Sequence, residues 1–129
     1  MEKETNEVLR QQQGEFWLDY SQRLSTAIRY VEALAAAERA VTLLSAHAEA
    51  YYVRGTCQAM LAHYDAALAD FDVSLQLNAQ DAATWDGKAW VLGILGRKEE
   101  ALAAIEQALA LDPDYFEALK RKKRLLAME

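Results

Sequence analysis

Residues 82–115 read AATWDGKAWVLGILGRKEEALAAIEQALALDPDY, and the order of residue types in them recurs along the chain. The stretch carries an aromatic at Trp85, a small residue at Ala89, a turn at Gly96-Arg97, a second small residue at Ala101 and a stop at Asp112-Pro113. Thirty-four residues upstream of Trp85 stands Tyr51, thirty-four before that stands Trp17, and the same step forward reaches Leu119. Ser21, Gly55 and Ala89 follow these ladder residues by four places, Ala33, Ala67 and Ala101 by sixteen, and Ala37, Phe71 and Ile105 by twenty. The chain is therefore an array.

A period of 34 with aromatic, small, turn, Ala, large apolar and Pro in that order resembles the tetratricopeptide repeat. The resemblance implies an all-α fold, a right-handed α-solenoid of helix-turn-helix repeats. Repeats fall at 14–47, 48–81 and 82–115, with a capping helix at 116–129 that ends the array with a polar face. Asp81 suits an N-cap, Pro113 ends the preceding helix, and Asp114 with Glu117 resembles a capping box. The capping helix is expected to turn Phe116, Leu119 and Leu126 to one side. Residues 1–13 are polar and Gln-rich without a sustained period, and are expected to be frayed or disordered, with Val8 and Leu9 able to prolong the first helix or fold against the array.

Three departures from the family pattern carry expectations. Ile28 stands where the later repeats have Ala62 and Gly96, which suggests a longer turn or an extended first helix in the first repeat. Arg54 and Lys88 occupy places where the family has Leu; their stems are expected to cover apolar surface while the charges reach water, making Arg54→Leu neutral or stabilising. Gly55 faces Ala67 in the family's arrangement, where only a small side chain fits between crossing helices.

The net charge of −6 is uneven: residues 1–119 hold nine Lys and Arg against nineteen Asp and Glu, and residues 120–129 hold five against one. An acidic body with a basic tail disfavours nucleic acid as a partner and invites a weak homo-oligomer by contact of tail and body. No apolar run approaches a membrane span and the first residues lack a signal-peptide core, so a soluble cytoplasmic protein is expected, with no membrane partner. Cys57 is the single cysteine, read as a small buried thiol.

No constellation for catalysis, metal or cofactor emerges. His47 and His63 lack partners at ligand spacing and suit the surface. Asp65, Asp70 and Asp72 lack the Gly and Glu of a calcium loop and read as an exposed helix face. Gly87, Gly93 and Gly96 follow no strand and lack a phosphate-binding Lys. The run Lys120–Arg124 encircles its helix and reads as a solvated cap whose cations complement the helix dipole.

What remains is the face of the first helices that the ladder leaves over. If Trp17, Tyr51 and Trp85 pack inward, the residues one, two, five, eight and nine places on look to the concave side. From these, Leu18, Tyr52, Val53, Thr56, Met60, Asp86, Trp90 and Ile94 are the candidate partner-binding residues. The resemblance implies a non-enzymatic interaction module or scaffold that takes a protein or peptide segment with apolar anchors in this groove. Two other roles are open to such a protein: an assembly or secretion chaperone shielding an apolar stretch of a client, and a self-associating structural protein. Family members that clamp a C-terminal carboxylate use Lys, Asn, Asn, Lys and Arg; the matching places here hold Leu18, Gln22, Val53, Ala83 and Gly87, none of them basic.

Overall fold

The computed structural model describes residues 1–128, in which seven helices succeed one another without a strand. They are α1 (Glu2–Thr26), α2 (Tyr30–Leu43), α3 (Ala48–Met60), α4 (Tyr64–Leu77), α5 (Ala82–Ile94), α6 (Lys98–Leu111) and α7 (Phe116–Leu126). Packing is densest within the pairs α1/α2, α3/α4 and α5/α6, and next densest between each pair and the helix that follows. The first helices also touch one another, α1 on α3, α3 on α5 and α5 on α7, whereas the second helices make no such mutual contacts among the described residues. A stack closed on one side and splayed on the other is a curved solenoid, with the first helices lining its inner face.

The 34-residue register sets the core. Ala33, Ala67 and Ala101 are fully buried, as are Ala37, Phe71 and Ile105, and Ser21, Gly55 and Ala89 are buried opposite them. A Cβ on Gly55 would stand 2.9 Å from the Phe71 ring and 3.3 Å from the Ala67 carbonyl oxygen, and one on Gly87 would stand 3.2 Å from the same ring. One large ring is thus wedged between α3 and α5, and both helices carry glycine where it passes. The ladder aromatics are half-buried rather than enclosed, and two of them tie down the loop before their own helix: Tyr51 Oη donates to the Ser45 carbonyl at 2.8 Å and Trp85 Nε1 to the Ala79 carbonyl at 3.0 Å. Trp17 instead lies under the Arg39 guanidinium, 4.7 Å from its ring centre.

All three turns within repeats are the same, which corrects the expectation of a longer first turn. Arg29 N–H bonds to Leu24 O and Ile28 N–H to Ser25 O; the pairs His63 to Gln58 with Ala62 to Ala59, and Arg97 to Leu92 with Gly96 to Gly93, repeat the pattern. This closure needs one left-handed residue, supplied by Gly96 at φ 77°, Ala62 at 63° and Ile28 at 62°. Ile28 adopts the same backbone as glycine, against the preference of a β-branched residue.

Residues 1–13, expected to be frayed or disordered, form the first half of α1. Glu2 and Glu4 in its first turn complement the helix dipole, nine of residues 1–13 are the helix formers Glu, Gln, Lys, Arg and Leu, and Arg10 donates to the carbonyls of Thr42 and Leu43 at the end of α2. The last helix buries Ala118 and Leu125 and leaves the side that carries Phe116, Leu119 and Leu126 exposed, while the expected capping box does not form: Asp114 makes no capping bond to α7, whose N-cap is Tyr115. Asp81 does cap α5, accepting from Ala83 N–H at 3.0 Å and from the Thr84 hydroxyl at 2.8 Å.

Candidate functional site

The inner face is built from the first helices, and its openness depends on position in the unit. Residues one and two places after the ladder lie where neighbouring helices meet. Leu18 and Val53 are accordingly buried in the core cluster with Ala33, Ala37 and Cys57, Leu18 away from the inner face and Val53 at the floor of a hollow on it. Asp86 is buried as well, held by both nitrogens of a fork: Arg121 Nε donates to Oδ1 at 2.8 Å and a terminal nitrogen to Oδ2 at 3.1 Å. Its charge is spent inside the protein. Tyr52 is half-buried, with its ring 5.9 Å from that of Phe71. Burial pushes its phenol above the ordinary value, and the nearby carboxylates of Asp81 and Asp86 push in the same direction. Tyr115, at the entry to α7, is pushed up to about 12, first by burial and then by the charges of Tyr52 and Asp86.

Five and nine places after the ladder the face opens. The first row reads Gln22, Thr56, Trp90 and Arg124, and the second Thr26, Met60, Ile94 and Met128, each continuing the 34-residue step into α7. Met60, Ile94 and Met128 are 42%, 47% and 49% exposed, so three large apolar side chains stand in the second row with nothing over them. Two hollows follow these rows. One of about 220 Å³ lies between α1 and α3, lined by Gln22, Ser25, Thr26, Tyr52, Thr56 and their neighbours. The other, about 350 Å³, lies between α5 and α7, lined by Trp90, Gly93, Ile94, Arg121, Arg124 and Met128 with Ala89 and Leu125 at the floor. The groove thus grades from hydroxyls and amides at its first end to apolar surface with guanidinium groups at its last.

Of the candidate residues, the structure brings Tyr52, Thr56, Met60, Trp90 and Ile94 to the inner face, sets Val53 at the floor of the hollow between α1 and α3, and buries Leu18 and Asp86. Trp90 serves two sides, lining the larger hollow while packing against the buried cluster of Ala59, Ala67, Phe71 and Val91. Arg121, Arg124 and Met128 escaped the sequence reading, which stopped the ladder's groove positions at the third repeat. Carrying them on from Leu119 by five and nine places finds Arg124 and Met128 directly. The first half of α1 leaves Trp90 uncovered, for Val8 and Leu9 lie at the other end of the array and are half-exposed.

The remaining polar groups are structural. Arg54 grips Asp70 with two bonds of 2.7 and 2.8 Å, so Asp70 is buried and paired, not part of an exposed acidic face; Arg54 covers the Tyr51 ring, 5.7 Å from its centre, but its charge goes to Asp70 and not to water. Lys88 reaches across to Asp72 on the preceding repeat at 2.8 Å. Arg121 turns inward to Asp86 and Lys122 pairs at the surface with Glu106, so the basic run is only in part a solvated cap. Cys57 is buried beside Ser21, its thiol pushed up by burial. His47 and His63 are exposed at the starts of α3 and α4. No group of three His, Cys, Asp or Glu is placed to hold a metal, and no helix is long and apolar enough to cross a membrane, among the described residues.

Comparison with known proteins agrees with this architecture. Residues 82–115 match the family model described as Tetratricopeptide repeat. The curated proteins give no match. Among solved structures, the Arabidopsis OM64 TPR domain superposes with a TM-score of 0.88 at 20% identity, covering 91% of this chain and 97% of that one. The first TPR of Spaghetti (RPAP3), bound to the HSP90 peptide SRMEEVD, gives 0.86 at 18% identity over 90% of this chain and 92% of that one. The second TPR domain of human RPAP3, in complex with the HSP70 peptide SGPTIEEVD, gives 0.83 at 16% identity over 95% and 99%. The fold is that of a tetratricopeptide array, and the third repeat matches the family directly.

Proposed function

We propose that this chain is a protein-interaction module whose inner face takes a peptide segment, with an apolar anchor seated over Trp90, Ile94 and Met128 and polar backbone contacts along Gln22 and Thr56. The observation that carries this reading is the exposed pair Ile94 and Met128 on the wall of a hollow of about 350 Å³, with Met60 exposed one repeat earlier in the same row. Contiguous uncovered apolar surface in a concave setting is the usual mark of a contact site. Likeness in fold to domains solved with bound peptides supports the mode of binding but not the ligand. Those peptides end in EEVD. Here the places that the family uses for a carboxylate clamp hold Leu18, Gln22, Val53, Ala83 and Gly87, two of them buried and none cationic. The anchor is therefore apolar and internal to the segment.

A randomised peptide library displayed on phage, selected on the wild-type protein, tests the reading. Enriched peptides sharing a large apolar residue are expected, and Ile94→Asp should weaken their binding tenfold or more, about 1.4 kcal/mol, while leaving the melting temperature nearly unchanged, since Ile94 is exposed. A selection that enriches nothing, or peptides indifferent to Ile94→Asp and Met60→Asp, would refute it.

A further inference from the structure

The two ends of the solenoid carry apolar surface that the groove does not use, and the ends differ in a way that fits one to the other. At each internal junction the residue one place before the ladder is small and buried against the preceding helix: Ala50, Thr84 and Ala118. In α1 the same place holds Phe16, 61% exposed and stacked on Tyr20 at 6.1 Å. A phenyl ring has no room in a junction of the internal kind, so this end is not simply an internal junction left open. About two turns earlier on the same side of α1 stands Leu9, also half-exposed, which extends the stripe.

At the other end α7 has the register of a first helix, buried through Ala118 and Leu125 as α5 is through Thr84 and Val91. Each complete repeat packs a second helix on its first; α7 is followed by no such helix among the described residues, and Phe116, Leu119 and Leu126 form an open stripe. The ladder residue here is Leu where the repeats have Trp, Tyr and Trp, so the site is shallower and leaves space for an incoming ring.

Charge selects the occupant. Residues 1–20 hold five acids and two bases, whereas residues 116–124 hold five bases and one acid. Lys120 and Lys123 lie along the α7 stripe, and Glu15 flanks the α1 stripe, while Asp19 on the same helix is paired with Arg23 at 2.8 Å. Two copies of α7 repel, as do two copies of α1, but α1 and α7 attract. We propose that the outer stripe of α7 seats the Phe16–Tyr20 stripe of α1 from a second copy, so that the protein associates head to tail. Such a heterologous contact leaves one α1 and one α7 free in every dimer and extends into chains unless the rotation closes a ring. One helix laid on another is a small interface, which places the association in the micromolar range or weaker. This inference is independent of the groove reading, because neither stripe lies on the inner face.

The experiment is analytical ultracentrifugation of the whole chain over a concentration series. At low ionic strength the weight-average mass should rise past that of a dimer, and in about 1 M salt, where the Debye length is near 3 Å, it should fall back toward the monomer. Phe16→Lys sets a cation against the cationic stripe of α7, Leu119→Gln removes the apolar seat on α7 without adding charge, and circular dichroism melts should confirm that both variants remain folded. Each alone should be monomeric. Mixed one to one they should form a dimer that grows no further, since the α1 of Leu119→Gln and the α7 of Phe16→Lys are both intact. A monomeric wild type at low salt would overturn the proposal. So would self-association of either variant alone, which indicates a symmetric contact, or a mixture that stays monomeric.

Discussion

Replacing Arg54 by leucine separates the structure from the family pattern most sharply, because the pattern has leucine at that place and expects no loss. In the structure Arg54 holds Asp70 through two parallel bonds of 2.7 and 2.8 Å, with only 6% of the Asp70 side chain exposed. The hydrogen bonds to Asp70 also raise the Arg54 guanidinium above its ordinary value. Leucine would leave a carboxylate on α4 facing the apolar flank of α3. Breaking a buried pair from one side costs about 3–5 kcal/mol. Arg54 is about a quarter exposed, so water can reach part of the vacated space, and about 3 kcal/mol is the better figure.

For a chain of this length that corresponds to a fall of roughly 10 °C in melting temperature. Urea denaturation followed by circular dichroism measures it, and a double-mutant cycle assigns it. Arg54→Leu combined with Asp70→Leu removes both charges and should recover most of the lost stability, as apolar replacements of buried pairs commonly do. If Arg54→Leu alone is neutral, the pair contributes nothing and the assignment of Asp70 to the interior is wrong. If the double variant is as unstable as the single, packing at Arg54 and not the pair carries the loss.

Three further outcomes follow from the fold. Ile28→Gly should raise stability by about 0.5–1 kcal/mol in thermal melts, because release of a left-handed β-branched residue, about 1–2 kcal/mol, exceeds the added freedom of the unfolded chain, and the side chain is 72% exposed; a loss of stability would mean that Ile28 packs on something. Gly55→Leu should cost about 3 kcal/mol or prevent folding, since a Cβ alone already stands 2.9 Å from the Phe71 ring, and the combination with Phe71→Ala should recover part of it; independence of the two changes in denaturant melts would contradict the wedge. Stability should decline as pH rises from 10 toward 12, because an unfolded Tyr115 loses its proton near 10 while the folded one keeps it to about 12, so the unfolded state gains relative to the folded state through that window. Tyr115→Phe should flatten that decline, and an unchanged slope in alkaline urea titrations would place Tyr115 in water.

What the sequence made legible is what recurs locally. The buried Ala33, Ala67 and Ala101 and the large Phe71 and Ile105 stand at fixed steps from the ladder, so the helix pairs and their contact faces could be read without knowing how the pairs stack. The ion pairs Arg54–Asp70 and Arg121–Asp86 could not, since each joins different helices and exists in one place only, whereas Lys88–Asp72 recurs one repeat on as Lys122–Glu106 and could have been read from the 34-residue step. A charged residue at an apolar place signals only that something unusual stands there. The three turns show the limit from the other side: Ile28 breaks the residue preference while the backbone keeps the pattern, because the packing of α1 on α2 fixes where the chain must reverse and overrides a local cost of about 1–2 kcal/mol.

The groove was half legible for a related reason. A helical wheel gives direction around α3 and α5 but not depth along them, so positions one, two, five and nine places after the ladder look alike from sequence. Contacts between successive first helices close the near end, burying Leu18, Val53 and Asp86, and leave the far end open at Met60 and Ile94. The same contacts bring α7 against α5, which turns Arg124 and Met128 into walls of the larger hollow. A helix with five consecutive cations reads in isolation as a soluble end. In the array it is the fourth first helix. Its two rows then continue those of the repeats, apolar Met128 after Ile94 and cationic Arg124 after Trp90, so what the groove can hold is decided as much by the last helix as by the repeats that identify the fold.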